Sequence, residues 1–131
     1  MISASRRPCI IAGGALTDKA TRALFKRFVS MYRIPVVTSM LRVDILDSNH
    51  PLRYGFIGAY GDRTANFVIA KSDLVIALGS RLDIRQVGPT GRILRQTQRL
   101  SEWILIPVNC LTVFMRMKLT YAQISSAFWN V

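Results

Sequence analysis

The feature that most constrains the fold is a continuous apolar run, Leu74–Leu78, which Asp73 precedes and Gly79 ends. Such a run is too short for a separate helix. Its lack of alternation is typical of a strand buried on both faces of a parallel sheet. The sequence therefore predicts an α/β fold in which this strand lies inside the sheet.

Charged residues follow this strand directly, at Arg81, Asp83 and Arg85. Ligands of open α/β sheets bind at the carboxyl ends of the strands, so these three side chains are candidate ligand contacts. The alternative interpretation is that they pair only with one another on a loop. Composition favours neither interpretation.

Length and composition indicate one domain of 131 residues with a substantial core, since half of the residues are hydrophobic. No charge-free apolar run approaches the roughly 20 residues of a membrane helix, and no signal-peptide pattern is visible. Cys9 and Cys110 lack the spacing of metal ligands, so we expect reduced thiols, a cytoplasmic location and no metal site.

The formal charge of +11 suggests nucleic-acid binding as one hypothesis. The basic residues are scattered, however, and no zinc-finger spacing or aromatic RNA-binding motif accompanies them. We therefore expect neither a nucleic-acid nor a membrane partner.

The first half of the chain is predicted to form strand, turn and helix. Residues 1–7 are polar and read as a linker, and residues 9–12 form a short apolar strand. Gly13 and Gly14 then predict a tight turn, and Thr17 or Asp18 can cap a helix that starts near residue 19. The helical spacing of its apolar residues predicts a face formed by Ala20, Leu24, Phe28 and Met31 that lies on the sheet. Phe25, Phe28 and Tyr32 are expected in the core rather than as a platform for stacking bases.

The next segments continue the alternation of strand and helix. Residues 35–38 are predicted to form a buried strand, and residues 39–49 an irregular crossover. His50, which precedes a proline, is interpreted as a structural residue. Gly55, Gly58 and Gly61 permit close backbone approach. Asp62 can cap a helix whose inner face carries Ala65, Val68 and Ile69.

Strand, glycine turn and helix in succession suggest a dinucleotide fingerprint, although the third small residue of GxGxxG is absent here. Backbone N–H groups of such a turn at a helix N-terminus can hold a phosphate. A phosphate at the Gly13–Gly14 turn is therefore a second hypothesis for the same edge of the sheet.

Five sequence segments resemble the central domain of thiamine pyrophosphate enzymes, nearest the acetolactate synthase large subunit. They are Arg-Pro-Cys-Ile-Ile-Ala-Gly-Gly (7–14), Ile-Pro-Val-Val-Thr (34–38), His-Pro-Leu (50–52), Gly-Ala-Tyr-Gly-Asp-Arg with Ala-Asn (58–66) and Ser-Asp-Leu-Val-Ile-Ala-Leu-Gly-Ser-Arg-Leu-Asp-Ile-Arg (72–85). The resemblance implies a three-layer, Rossmann-like (FAD/NAD-binding-like) fold, a parallel sheet with helices on both faces. In that family the two flanking domains bind thiamine pyrophosphate and magnesium between subunits of a homo-oligomer.

In the acetolactate synthase branch the central domain holds FAD. By resemblance, the contacts to such a nucleotide fall on Gly13, Gly14, Thr38, Ser39, Leu41, Gly58, Gly61, Arg63, Arg81, Asp83 and Arg85. The activating glutamate and the magnesium ligands of the family have no counterpart in these segments. The resemblance therefore implies a truncated central domain with no catalytic residues and no metal ligands. The alternative is a small module that binds FAD or another nucleotide.

The resemblance stops after Gly88, and the remaining residues, 89–131, are interpreted as a frameshifted tail. The codons of residues 89–106 can be read one base out of register. The genetic code then permits a sequence that ends I-I-R-V-D-I-D, which corresponds to the missing strand of the family. Trp103 has a single codon and leaves no freedom in this decoding. The hypothesis is one lost base near codons 87 and 88, with the last strand and closing helix incomplete or replaced. Residues 103–108 are apolar enough to take the strand's place.

Overall fold

A computed structural model describes residues 5–87 and 102–106 of the chain. Five strands alternate with helices: β1 Pro8–Ala12, β2 Val36–Thr38, β3 Arg53–Phe56, β4 Leu74–Leu78 and β5 Glu102–Ile106. The helices are α1 Lys19–Tyr32, α2 Arg63–Lys71 and the short α3 Ile84–Val87, with a 3₁₀ turn at Met40–Arg42. No helix within these described ranges is long and apolar enough to cross a membrane.

The five strands form one sheet in the order β3-β2-β1-β4-β5, and every neighbouring pair is parallel. In the sheet centre, Ile10 lies opposite both Val36 and Ile76. The predicted parallel α/β fold is confirmed. The order reverses at β1, so the carboxyl ends of β1 and β4 form the topological switch point, where doubly wound sheets bind ligands.

Each face of the sheet has its own core, because successive strand residues point to opposite sides. On one face, Ile10 and Ile76 pack with Phe25 and Phe28 of α1. On the other face, Ile11 and Val75 pack with the inner residues of α2. Burial on both sides explains why β4 is a run of apolar residues without alternation.

Helix α1 begins where the sequence predicts, but its buried face is different. Asp18 is the N-cap, and its carboxylate accepts the N–H of Thr21 at 2.8 Å. The buried residues of the helix are Thr21, Phe25, Phe28 and Val29. The expectation that Phe25 and Phe28 lie in the core is confirmed, but Ala20 and Met31 of the predicted face are exposed. The two bulky phenylalanines fill the space above β1, which turns Met31 outward to 38% exposure.

Two edge strands complete the sheet, and only one of them follows from the sequence. Arg53–Phe56 forms β3 beside β2, which the sequence did not predict. Glu102–Ile106 forms β5 beside β4, with Ile104 opposite Ile76. The prediction that the apolar tail takes the last strand position is confirmed for residues 103–106. Residues 107 and 108 and the closing helix lie outside the described residues.

The segment between β2 and β3 is an irregular crossover, as predicted. His50 stabilises its end: its backbone N–H donates to Asp47 O at 2.9 Å, and its Nδ1 accepts the N–H of Leu52 at 3.2 Å. The interpretation of His50 as a structural residue is therefore supported.

Candidate functional site

All eleven predicted contact residues lie at one edge of the sheet, on the segments that leave the carboxyl ends of β1, β2, β3 and β4. Parallel strands bring these four segments together, although they are spread over seventy residues of sequence. The structure thus places the predicted contact residues at a single edge of the sheet. The contacts between the four segments show which of these residues pack against the chain itself and which remain exposed.

The glycine turn after β1 is attached to the exit of β4. The N–H of Gly13 donates to Leu78 O at 2.8 Å, and the N–H of Ala15 donates to Gly79 O at 3.2 Å. A Cβ atom on Gly13 would lie 2.2 Å from Gly79 O, so only glycine allows this approach. The close backbone approach at Gly13 is therefore to the exit of β4, a segment of the same chain.

A phosphate at the N-terminus of α1 does not fit this geometry. The helix starts at Lys19, five residues after Gly14, and the carboxylate of Asp18 already caps it. Hydrogen bonds from Thr21, through its side chain and its backbone, lower the pKa of Asp18, so this end of the helix carries a negative charge at neutral pH. Gly14 itself still borders the site, next to the side chain of Leu41.

The segment after β2 contains two buried polar atoms without a partner among the described residues. They are Ser39 Oγ and Arg42 Nε. Arg42 donates through Nη2 to Gly14 O at 3.2 Å, and its Nη1 lies 3.6 Å from Asp44. Buried polar groups are normally hydrogen-bonded, so this pair fits a ligand that supplies acceptor oxygens. Sequence reasoning selected Ser39 but missed Arg42, because no motif distinguishes it from the other scattered arginines.

Arg42 is held in this place by a small ion-pair network. Asp44 accepts Arg22 Nη2 of α1 at 2.9 Å and also lies near Arg42. Burial raises the pKa of Asp44, but the hydrogen bond and charge of Arg22, with the charge of Arg42, outweigh this effect and lower it overall. Asp44 is therefore ionised at neutral pH and orients Arg42 towards the glycine turn.

The segment after β3 packs against α3. Gly58 adopts a φ of 125°, and a Cβ atom there would lie 2.4 Å from Arg85 O. The side-chain amide of Asn66 clamps Gly58, accepting its N–H at 3.1 Å and donating to its carbonyl at 2.9 Å. The close approach predicted for the glycines is thus an approach to the chain's own backbone. Asn66 belongs to the quoted family segment, but it was not selected as a site residue.

The charged residues after β4 do not pair with one another. Asp83 Oδ1 accepts the backbone N–H groups of Arg85 and Gln86, at 3.0 and 3.2 Å, and so caps α3. Arg63, Arg81 and Arg85 are exposed and form no ion pair with any residue in the described ranges. The edge therefore presents three guanidinium groups without carboxylate partners, which suits a phosphorylated ligand.

The remaining predicted residues help to form the edge. Thr38 is fully buried, and its hydroxyl donates to Gly55 O at 3.4 Å. Gly61 turns the chain tightly against Phe56 O, and Leu41 is 75% exposed. Within residues 5–87 and 102–106, no three His, Cys, Asp or Glu side chains cluster as they would around a metal ion.

A sequence model of the family "Thiamine pyrophosphate enzyme, central domain" matches residues 1–109 of this chain. The chain belongs to this family. The match covers most of the chain, and the five-stranded parallel sheet agrees with the three-layer fold that the resemblance implied.

Several curated relatives of this central domain are acetolactate synthase large subunits. The chain is 37% identical over 92 residues to the one from Lactococcus lactis, covering 70% of this chain and 16% of that protein. It is 31% identical over 90 residues to the isozyme 1 large subunit of Escherichia coli, covering 69% of this chain and 16% of that protein. A probable acetolactate synthase large subunit of Methanococcus aeolicus is 32% identical over 88 residues, covering 67% and 15%. The chain thus spans about a sixth of the length of these relatives.

Proposed function

We propose that this chain is a nucleotide-holding scaffold, the central domain of a thiamine pyrophosphate enzyme similar to acetolactate synthase, and that it is not catalytic alone. The observation that carries the proposal is the family match over residues 1–109, together with similarity to acetolactate synthase large subunits. The reaction of the parent enzyme is then decarboxylation of a 2-oxoacid followed by condensation. Thiamine pyrophosphate and magnesium belong to the flanking domains of that enzyme.

The nucleotide that we propose for the carboxyl edge is FAD, because the family resemblance suggests it. Arg63, Arg81 and Arg85 would pair with its diphosphate, because guanidinium groups bind phosphate oxygens in a bidentate manner. Ser39 Oγ and Arg42 Nε would gain the acceptors that they lack within the described residues. FAD is a redox group, but decarboxylation and condensation of 2-oxoacids involve no net oxidation. Its role on this scaffold is therefore structural.

The proposed lack of activity is tested with the purified 131-residue chain, pyruvate, thiamine pyrophosphate and Mg²⁺. We expect no acetolactate above the level of a reaction without protein, measured by the colour reaction of acetoin after acid treatment. An Escherichia coli large subunit under the same conditions is the positive control. Turnover by the chain that survives repeated purification would refute the scaffold proposal.

The FAD proposal is tested by titration, following flavin fluorescence and the melting temperature of the protein. Binding to the folded state raises the melting temperature, and the rise grows with the logarithm of ligand concentration above the dissociation constant. We expect a double variant, Arg81→Ala with Arg85→Ala, to weaken binding by about tenfold or more, because two charged contacts are lost. A matched double variant, Lys19→Ala with Arg27→Ala, removes two charges on the outside of α1 and should leave the affinity unchanged. Equal losses in both variants would show that binding follows net charge and not this site.

A further inference from the structure

A second basic cleft lies at the amino edge of the sheet, opposite the candidate nucleotide site. It has a volume of about 480 Å³ and opens between the C-terminal ends of α1 and α2 and the segment that enters β1. Four cationic side chains line it, Arg6, Arg7, Arg33 and Lys71, beside mostly apolar walls. None of the residues predicted for the nucleotide site contributes to it.

The four cations are not neutralised by the protein around them. Within the described part of the chain, none of them forms an ion pair with a carboxylate. The nearest carboxylate in sequence, Asp73, accepts the hydroxyl of Ser5 and the backbone N–H groups of Arg6 and Arg7, both at 2.9 Å. Asp73 therefore fixes the backbone of the entering segment and leaves the guanidinium groups available.

The dipoles of α1 and α2 do not neutralise the four positive charges. Each helix C-terminus is equivalent to about −0.5 charge, so two of them offset only about one of four positive charges. The ends are also capped by other groups: Val29 O accepts the N–H of Arg33 at 2.8 Å, and Val68 O accepts the hydroxyl of Ser72 at 2.7 Å. When the carboxylate of Asp73 is counted as well, a surplus of about two positive charges remains in the cleft.

We propose that this cleft binds a nucleoside polyphosphate. Its volume lies in the range of roughly 300–1,000 Å³ that is typical of small-molecule sites. The cations match a chain of phosphates, and the apolar wall matches a base. Phe67, 62% exposed, presents a ring at the rim, with Lys71 Nζ 5.6 Å from its centroid. A ligand with both a polyanionic and an aromatic part uses both kinds of wall.

The test is a titration of the full chain with ATP at low salt, with heat release as the signal. Arg33→Gly removes a charge without strain, because Arg33 has a φ of 50° that suits glycine. We expect Arg33→Gly and Lys71→Gln each to weaken ATP binding by about three- to tenfold. Arg27→Gln makes the same charge change on the exposed side of α1, outside the cleft, and should change the affinity less than twofold. Melting curves confirm that each variant is folded.

Three outcomes would overturn the proposal. The first is neither heat of binding nor a rise in melting temperature with ATP at about 1 mM. The second is ATP affinity that falls in the Arg81→Ala, Arg85→Ala variant but not in Arg33→Gly, which would place ATP at the carboxyl edge. The third is displacement of ATP by an acidic peptide but not by tripolyphosphate, which would make the cleft a surface for a polypeptide. We expect tripolyphosphate to compete, and adenosine alone to bind weakly.

Discussion

Gly13 and Gly14 are adjacent, yet the structure assigns them different tasks. A Cβ atom on Gly13 would meet the Gly79 backbone at 2.2 Å, whereas one on Gly14 would meet the flexible side chain of Leu41 at 3.0 Å. We expect Gly13→Ala to lower the free energy of unfolding by about 1–3 kcal/mol or more, because neither backbone segment can move away. Gly14→Ala should cost less than about 1 kcal/mol.

Urea unfolding of the two alanine variants measures this difference. The same pair separates stability from binding, since Gly14→Ala remains folded and alters only the surface of the proposed FAD site. A Gly13→Ala variant as stable as the unmodified chain would contradict the packing between the exits of β1 and β4.

Cys9 is an inert thiol in this fold. It is fully buried, and desolvation by burial raises its pKa from 9.0 to about 12. The thiolate is the reactive form, so we expect no reaction with a disulfide reagent at pH 8 until the protein is unfolded. Cys110→Ser removes the other thiol and makes the measurement specific to Cys9. As the pH rises from 9.0 towards 12, the unfolded thiol ionises first, so the fold loses stability over that window.

Labelling of Cys9 in buffer as rapid as in urea would show that β1 is accessible. The burial of this strand would then be wrong. The apolar sequence of residues 9–12 already predicted the burial of Cys9. The loss of thiol reactivity follows only from the three-dimensional surroundings, because it depends on α2, which packs over the face of β1 that carries Cys9.

At the scale of elements, the sequence predicts those parts that have a strong local pattern. Strands β1, β2 and β4 and the starts of α1 and α2 agree with the prediction, because apolar runs and an aspartate before each helix mark them. Asp18 caps α1 through its side chain, whereas the side chain of Asp62 makes no capping hydrogen bond to α2. Strand β3 was missed, since Arg-Tyr-Gly-Phe has no alternation and all four residues are only partly buried. Its end is held by a tertiary contact, the N–H of Phe56 to Asp62 at 3.0 Å, which no local pattern indicates.

Tertiary contacts also limit what the sequence predicts about the candidate site. Its glycines and arginines were found from family segments, but the task of each depends on which segment lies beside it. Gly58 contacts α3 and Gly13 contacts the exit of β4, and neither neighbour is close in sequence. Arg42 was missed for the same reason, because its partners on Gly14 and Asp44 are brought together only by the fold.

The start of α1 offers a prediction at this scale, because Thr17 and Asp18 were both candidates for its cap. The structure assigns the cap to Asp18. We expect Asp18→Ala to lower the melting temperature by about 2–6 °C and Thr17→Ala to change it by less than about 1 °C. The carboxylate has a lowered pKa in the fold, so its contribution is present at neutral pH and is lost as the pH falls below about 3.8.

Asp18→Asn separates the two effects. Asparagine keeps a capping oxygen but does not titrate, so this variant should be almost as stable as the parent at pH 7 and should lack the additional loss at acid pH. Thermal melts at pH 7 and pH 3 measure both. A larger effect of Thr17→Ala than of Asp18→Ala would assign the cap to the other residue.

For the whole molecule, the decisive hypothesis concerns the tail. A lost base changes the identity of the residues that follow but not their spacing along the sequence. A replacement strand therefore follows β4 after nearly the same number of residues. Glu102–Ile106 does pair in register with β4. Residues 89–131 contain one acidic and five basic residues. If a base was lost, the sequence that follows it was never selected to cover this sheet. We therefore expect a marginally stable protein with exposed apolar surface.

Restoring one base at codon 88 tests this hypothesis on the protein itself. The repaired chain should regain the acidic strand and closing helix of the family, melt about 5 °C or more above the present chain and bind less of an apolar fluorescent dye. Inserting the base at codon 120 is the control, since it leaves the strand unrepaired. Sequencing of the DNA supplies the independent check. Two results would contradict the hypothesis: an adjacent frame that does not encode the family's strand and closing helix, or a repaired chain less stable than the present one. Either would mean that the tail is in its correct reading frame and belongs to this fold.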